Sequence, residues 1–337
     1  MPYTFARVGG YTLTFDEHGL TTADGKLGMD NPKILDLTGK KISTFPESLD
    51  DWLAVDELIL DDNLLVSLPE NIGQLIDLRS LSLYKNRLTL LPRSIWKLKN
   101  LHALNIADNL IPLISEGIGN LVELHMLDLG HNQLSVLPES LGELKNLAFL
   151  YLSNNRLRSL PRSFEKLNAL VYLNITDNQL VSFPEGICRL NHLVELRLYN
   201  NLFTALVESI GDLADLREMH LMNNRLASLP VSLGKMKCLR KLDLQDNPLK
   251  VLPETIGDLE DLNELNLRNN QLVSIPESLG RLKNLRFLDL RANRLKALPD
   301  SMLNLEKLEK LDLRWNRLSI IPDWIHILEG RGCTVYL

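Results

Sequence analysis

Asparagine stands at Asn63, Asn86, Asn109, Asn132, Asn155, Asn178, Asn201, Asn224, Asn247, Asn270, Asn293 and Asn316, each 23 residues after the last. A fixed period of this length marks a chain built from stacked copies of one supersecondary unit, and it decides the architecture before any single residue is weighed. Around each asparagine the pattern is L-x-x-L-x-L-x-x-N-x-L-x-x-L-P-x-x-I-G-x-L, as in Leu78, Leu81, Leu83, Asn86, Leu88, Leu91, Pro92, Ile95 and Leu98. One step upstream, Leu35, Leu37, Lys40, Ile42, Phe45 and Pro46 keep the spacing with lysine in the asparagine position. The repeats number about thirteen and span residues 32–329, the first of them atypical.

In the L-x-L core of each unit, alternation with period two sends the leucines to one face and the intervening residues to the other. That is a short half-buried strand. Its leucines cannot be covered within one repeat, so the units stack side by side, with parallel strands about 4.8 Å apart. The asparagine amide supplies two donors and an acceptor, enough to satisfy turn backbone groups that stacking buries. Proline follows six residues later at Pro69, Pro92, Pro138, Pro161, Pro184, Pro230, Pro253, Pro276, Pro299 and Pro322, where it stops the strand and turns the chain outward, with Ser115 and Val207 as departures. Glycine at Gly73, Gly119, Gly142, Gly211, Gly234, Gly257 and Gly280 comes within an outer turn expected to carry a brief helical or 3-10 segment. The predicted fold is an α/β solenoid, curved because its outer segments are short.

These motifs resemble the leucine-rich repeat family over about nine tenths of the chain. In the 23-residue L-P-x-x-I-G-x-L form they are similar to Ras-suppressor-like, plant intracellular Ras-group-related and Roco repeats, and to free-standing bacterial leucine-rich repeat proteins. The resemblance implies a horseshoe whose concave face is the parallel sheet and whose variable concave residues choose the partner. For eukaryotic relatives it implies scaffolding around small GTPases, kinases or phosphatases, and for a bacterial source a host-directed effector or an internal adaptor. Extracellular members commonly close both ends with cysteine-rich caps, a pattern absent here.

The ends of such an array need covers. Residues 1–31 suit an N-terminal hairpin cap, because Tyr3 to Val8 and Tyr11 to Phe15 are β-prone runs separated by Gly9-Gly10. After Pro322, the apolar residues Trp324, Ile325, Ile327 and Leu328 have helical spacing, and residues 330–337 read as a last edge strand. The chain reads as complete at both ends. A formal net charge of -6 argues against a nucleic-acid partner, since no basic stripe would neutralise phosphates. No stretch approaches a membrane-spanning helix, and the N-terminus lacks a secretory signal pattern. Cys188, Cys238 and Cys333 occupy different repeat positions and suggest neither a disulfide framework nor metal-ligand spacing. The expected location is the cytoplasm. A glycosylation triplet at Asn174-Ile175-Thr176 falls inside a predicted strand and reads as chance.

The candidate binding surface is the sheet face formed by residues six, four and two before each asparagine. Its central units present Met126, Phe149, Tyr151, Tyr172, Tyr199 and Met222, with Tyr84 nearer the start and His220 beside them. Large side chains exposed there are expected to anchor a protein partner; the alternative is aromatic packing across strands that stiffens the sheet. Toward the C-terminus the same rows carry Asp243, Asn266, Asp289 and Asp312, then Gln245, Arg268, Arg291 and Arg314. These form either a self-neutralising ladder of surface ion pairs or an Arg-rich dock for an acidic segment, with Phe287 and Trp315 as apolar anchors.

No catalytic residue, metal or cofactor is expected. His102 and His125 share a repeat position and stand side by side, but no third ligand converges on them. The phosphate-binding, nucleophile-elbow, H-E-x-x-H and dinucleotide motifs are all missing. The repeats and caps account for every residue, leaving no room for the separate catalytic domain of the bacterial ubiquitin-ligase effectors. The function expected is therefore a non-catalytic protein-interaction module or scaffold; the alternative is a regulator of a partner enzyme.

Overall fold

The computed structural model describes residues 33–46 and 48–337 in full and, before them, the backbone of three strands. Those are β1 (Tyr3–Val8), β2 (Tyr11–Asp16) and β3 (Gly19–Thr21), joined antiparallel into their own sheet in the order β1-β2-β3. Val8 pairs with Tyr11 across the Gly9-Gly10 step, which itself lies outside the described residues.

The chain falls into two compact units, Met1–Ile175 and Thr176–Leu337. The first carries β4 (Ile34–Asp36), β5 (Glu57–Ile59), β6 (Ser80–Ser82), β7 (Ala103–Asn105), β8 (Met126–Asp128), β9 (Phe149–Tyr151) and β10 (Tyr172–Asn174). The second carries β11 (Glu195–Arg197), β12 (Glu218–His220), β13 (Lys241–Asp243), β14 (Glu264–Asn266), β15 (Phe287–Asp289), β16 (Lys310–Asp312), helix α1 (Trp324–Gly330) and β17 (Thr334–Tyr336). Within each unit the strands pair in parallel and in chain order, β4 to β10 in the first and β11 to β17 in the second. Pairs are in the register of the repeat, Met126 opposite Phe149 and Leu242 opposite Leu265. The leucines point to a continuous apolar core, with Leu81, Leu104, Leu127, Leu242 and Leu265 at most 1% exposed.

The asparagines join neighbouring repeats as the amide chemistry requires. Asn86 donates through Nδ2 to the Leu83 carbonyl at 3.1 Å and to Leu60, one repeat back, at 2.9 Å, while its Oδ1 accepts the Leu65 N–H at 3.0 Å. Asn224 does the same with Leu221, Leu198 and Phe203. The residue just before each asparagine has positive φ, as at Asp62 (53°), Asn200 (55°) and Trp315 (61°). Asparagine and aspartate fill most of these positions because they tolerate the left-handed region best among side-chain-bearing residues.

The outer segments from Glu70 onward are 3-10 turns, each introduced by an extended residue. Pro230 has φ -70° and ψ 150°. Ser115 and Val207, the two departures from proline, take nearly the same angles, so tertiary packing holds this conformation and proline only favours it. Glutamates in the turns clasp the following unit: Glu70 accepts the N–H groups of Arg93 and Ser94, and Glu139 those of Arg162 and Ser163. The turn glycines are needed for close approach. A Cβ on Gly257 would stand 2.0 Å from the Ser278 carbonyl oxygen. At the C-terminal end, α1 buries Trp324, Ile325 and Leu328, and β17 pairs in parallel with β16 with one extra residue of spacing, Lys310 opposite Thr334.

Replacing Asn224 by alanine leaves the Phe203 N–H and several carbonyls without a partner, and is expected to cost about 1–3 kcal/mol in urea unfolding. Gly257→Ala should cost a similar amount, about 1–3 kcal/mol, by forcing two turns apart. Gly330→Ala, where an added Cβ meets nothing within 4 Å, is the control and should be close to neutral.

Candidate functional site

Register places the residues six, four and two before each asparagine in rows on the open face of the sheet. In the first unit the rows hold Met126, Phe149 and Tyr172 side by side, with Asp128 next to Tyr151. The ring centroids of Phe149 and Tyr172 are 6.5 Å apart, and those of Tyr151 and Tyr172 4.9 Å. Met126, Ala148 and Tyr151 pack around the pair. Phe149 is only 9% exposed and Tyr172 5%. The expectation that these aromatics stand exposed is thus corrected for Phe149 and Tyr172. Strands one repeat apart are close enough for rings in adjacent rows to cover each other, so part of the face is a second, smaller apolar layer. Tyr151 and Met126 remain half-buried at its rim. Tyr84 is 41% exposed, and its N–H donates to Asp61.

Asp128 was not singled out from sequence; it is half-buried and in register with Tyr151. Its Oδ1 accepts the Gly130 N–H at 2.9 Å. Burial pushes its carboxyl up to about 6, against the lowering effects of that hydrogen bond and of His131. The same contact recurs at other repeats with aspartate or asparagine four before the repeat asparagine: Asn105 accepts from Ala107, Asp243 from Gln245 and Asp289 from Arg291. These side chains end the strand by accepting a backbone N–H two residues on. The acidic row therefore has a backbone role that its spacing alone did not reveal.

His102 and His125 lie stacked, centroids 5.4 Å apart at 11°, and each turns Nδ1 toward a carbonyl of its own turn, Asn100 or Glu123. Burial lowers the pKa of His102, opposed by its hydrogen bond to Asn100.

In the second unit Tyr199 and Met222 are half-buried, whereas His220 is 8% exposed and so is corrected from exposed to buried. His220 Nε2 lies 3.3 Å from Glu218 Oε2. That contact holds the Glu218 carboxyl below its usual range, opposed by burial and reinforced by Lys241 and Arg197. Glu195, in register with Glu218 and 1% exposed, receives a short hydrogen bond from Arg197. Nothing in the repeat pattern flagged Glu195; only the register of β11 against β12 does.

Further along, the ladder of arginine and aspartate is present. Arg291 bonds Asp289 and reaches Asp312 at 3.3 Å, and Arg314 bonds Asp312 at 2.6 Å. Asp312 is 1% exposed; burial alone would raise its pKa, but Arg314 and Arg291 outweigh it and hold the carboxyl below its usual range. Among the described residues the Arg268 guanidinium has no carboxylate partner. Phe287 is 38% exposed with Arg286 over its ring, and Trp315 67% exposed. Arg314 lies between rings, 4.9 Å from the Tyr336 centroid and 6.0 Å from that of Trp315.

Three family models match the chain: a leucine-rich repeat region over residues 112–222, and leucine-rich repeats over 237–295 and 307–328. A leucine-rich repeat protein of Leptospira interrogans is similar at 28% identity and TM-score 0.64, over 90% of this chain and 95% of that one. The plant peptide hormone receptor RGFR1 in complex with RGF2 is 30% identical with TM-score 0.75, over 85% of this chain. This chain spans 47% of that receptor's length. An internalin of Listeria monocytogenes shares the fold at 22% identity and TM-score 0.66, over 86% of this chain and 88% of its own. No curated protein matches.

Tyr172→Ala should lose about 2–4 kcal/mol of stability in urea unfolding, because it opens the buried cluster. Tyr84→Ala should stay within about 0.5 kcal/mol of the wild type. Asp128 has a folded pKa above its unfolded value, so its ionisation opposes folding, and stability attributable to it falls as pH rises from about 4 to 6. Asp128→Asn should therefore raise stability at pH 7 by about 1–3 kcal/mol and lose that advantage below pH 4, read by thermal unfolding across pH.

Proposed function

Since the chain belongs to the leucine-rich repeat family, we propose that it is a non-catalytic protein-interaction module that holds a protein partner on the open face of its sheet. The observation that carries this reading is the set of large side chains left uncovered there or at its margin: Tyr84 at 41% exposure, Phe287 at 38% and Trp315 at 67%. Trp315 also keeps φ at 61°, a conformation costly for a bulky residue, so its retention is not explained by stability. Aromatic side chains of this kind supply much contact area for little lost side-chain entropy.

Each unit offers its own contacts. In the first, Tyr84, Met126 and Tyr151 meet the partner, and Phe149 and Tyr172 hold Tyr151 in place. In the second, Tyr199, Met222 and His220 form one group, and Phe287, Trp315, Arg268, Arg291 and Arg314 another. The charges of Arg291 and Arg314 are neutralised within the ladder, so these two offer planar stacking and directed hydrogen bonds rather than a positive field. Arg268 is the cation free to pair with a partner carboxylate. The plant receptor of similar fold, in complex with RGF2, lends the reading support.

The formal net charge of -6 disfavours a nucleic-acid partner, and no helix among the described residues is long and apolar enough to cross a membrane. Cys188, Cys238 and Cys333 are free thiols, which suits the reducing cytoplasm proposed as its location.

Affinity capture from lysate with quantitative mass spectrometry tests the reading. The wild type is compared with Tyr84→Ala/Tyr151→Ala, with Phe287→Ala/Trp315→Ala, and with Val231→Ser on an outer turn. A partner held by the wild type and the Val231 variant but lost from either aromatic pair is the expected result. Equal capture by all four chains would refute the open face as the binding surface.

A further inference from the structure

One group of side chains on the second unit has a chemistry that protein docking does not use. Strands β11 and β12 run in register with Glu195 beside Glu218 and Arg197 beside His220. One carboxylate oxygen from each glutamate and one ring nitrogen of His220 all lie within 4.8 Å of one another. His220 Nε2 and Glu218 Oε2 are 3.3 Å apart. Two ligands at about 2.0–2.1 Å from a tetrahedral ion are separated by close to that distance.

Burial fixes two of the donors and leaves an entry path to the third. Glu195 is 1% exposed and His220 8%, whereas Glu218 keeps 31% of its side chain in solvent. Arg197 bonds the Glu195 carboxylate at 2.5 Å, orienting it as outer hydrogen-bond partners orient carboxylates that bind metals. Two carboxylates against one guanidinium leave an excess negative charge beside His220. Asp243, in register with His220 on β13, adds another; Lys241, in register with Glu218, acts on that carboxylate and also bonds Glu264 at 3.1 Å. A divalent cation answers that imbalance without moving a strand.

We propose that Glu195, Glu218 and His220 bind a zinc ion, with two carboxylate oxygens, one imidazole nitrogen and a water in the fourth position. An imidazole donor beside carboxylates suits zinc, whereas magnesium and calcium take oxygen ligands in larger number.

The test is calorimetric titration of the chelator-treated full chain with zinc, and the visible spectrum of the cobalt form. Wild type, Glu218→Gln, His220→Gln and His102→Gln are compared, with folding of each checked by circular dichroism in chelator. The expected result is one site per chain and an intense tetrahedral cobalt band. Glu218→Gln and His220→Gln should each weaken binding by about tenfold or more and remove the band, and His102→Gln should change neither. No saturable binding by the wild type, or binding by a folded Glu218→Gln as tight as wild type, overturns the site. Because Glu218 is the most exposed of the three, its variant decides the matter even if His220→Gln does not fold.

Discussion

The structure depends on one recurring side chain that serves two repeats at once. The repeat asparagine closes its own turn and reaches back to a carbonyl and an N–H of the repeat before it, as Asn86 does with Leu60 and Leu65. Backbone groups at the strand ends are buried by stacking and would otherwise lack partners, which is costly in an interior without water. The leucines provide most of the burial, but they would pack almost as well with small errors of position. The amide does not permit such errors, because donors and acceptor must meet fixed atoms in two repeats. Register follows, and with register the rows of the open face.

Those rows are not uniform. In the first unit neighbouring rings cover one another, so Phe149 and Tyr172 belong to packing and only the rim of the cluster is offered outward. In the second, charge dominates, and the polar groups are mostly satisfied within the sheet: Asp312 by Arg291 and Arg314, Glu195 by Arg197. The half-buried Asp128, whose carboxyl burial pushes up to about 6, is held there at a cost in stability. An array whose core alone suffices for folding can carry such residues on its surface, and that is where selection for binding can act with least interference from folding.

Much of this was legible in the sequence because the repeat makes one local solution count many times. The spacing of Leu81, Leu83 and Asn86 gave strand, core face and turn, and the run from Trp324 to Leu328 gave the closing helix. Exposure was less legible. Phe149 and Tyr172 share a repeat position with the fully polar Ser80, and what separates them is the size of the neighbour in the next row, a cross-strand fact. The backbone contacts of Asn105, Asp243 and Asp289 were hidden for a different reason, since aspartate beside arginine reads equally well as an ion pair. Glu195 joins Glu218 and His220 only once β11 is laid beside β12. The left-handed residue before each asparagine could have been read from the prevalence of Asp and Asn there, with Trp315 standing out as the exception.

The clasps between repeats, asparagine on the inside and glutamate on the outer turns, reach the adjacent repeat, as Asn86 does to Leu60 and Glu70 to Ser94. A gain or loss of one whole period would leave every remaining clasp with its counterpart, whereas removal of even one residue between two asparagines would misplace all of them locally. The length of such a chain can therefore change in evolution by whole units, through duplication or deletion of a short stretch of coding sequence, while the open face acquires or sheds one row at a time.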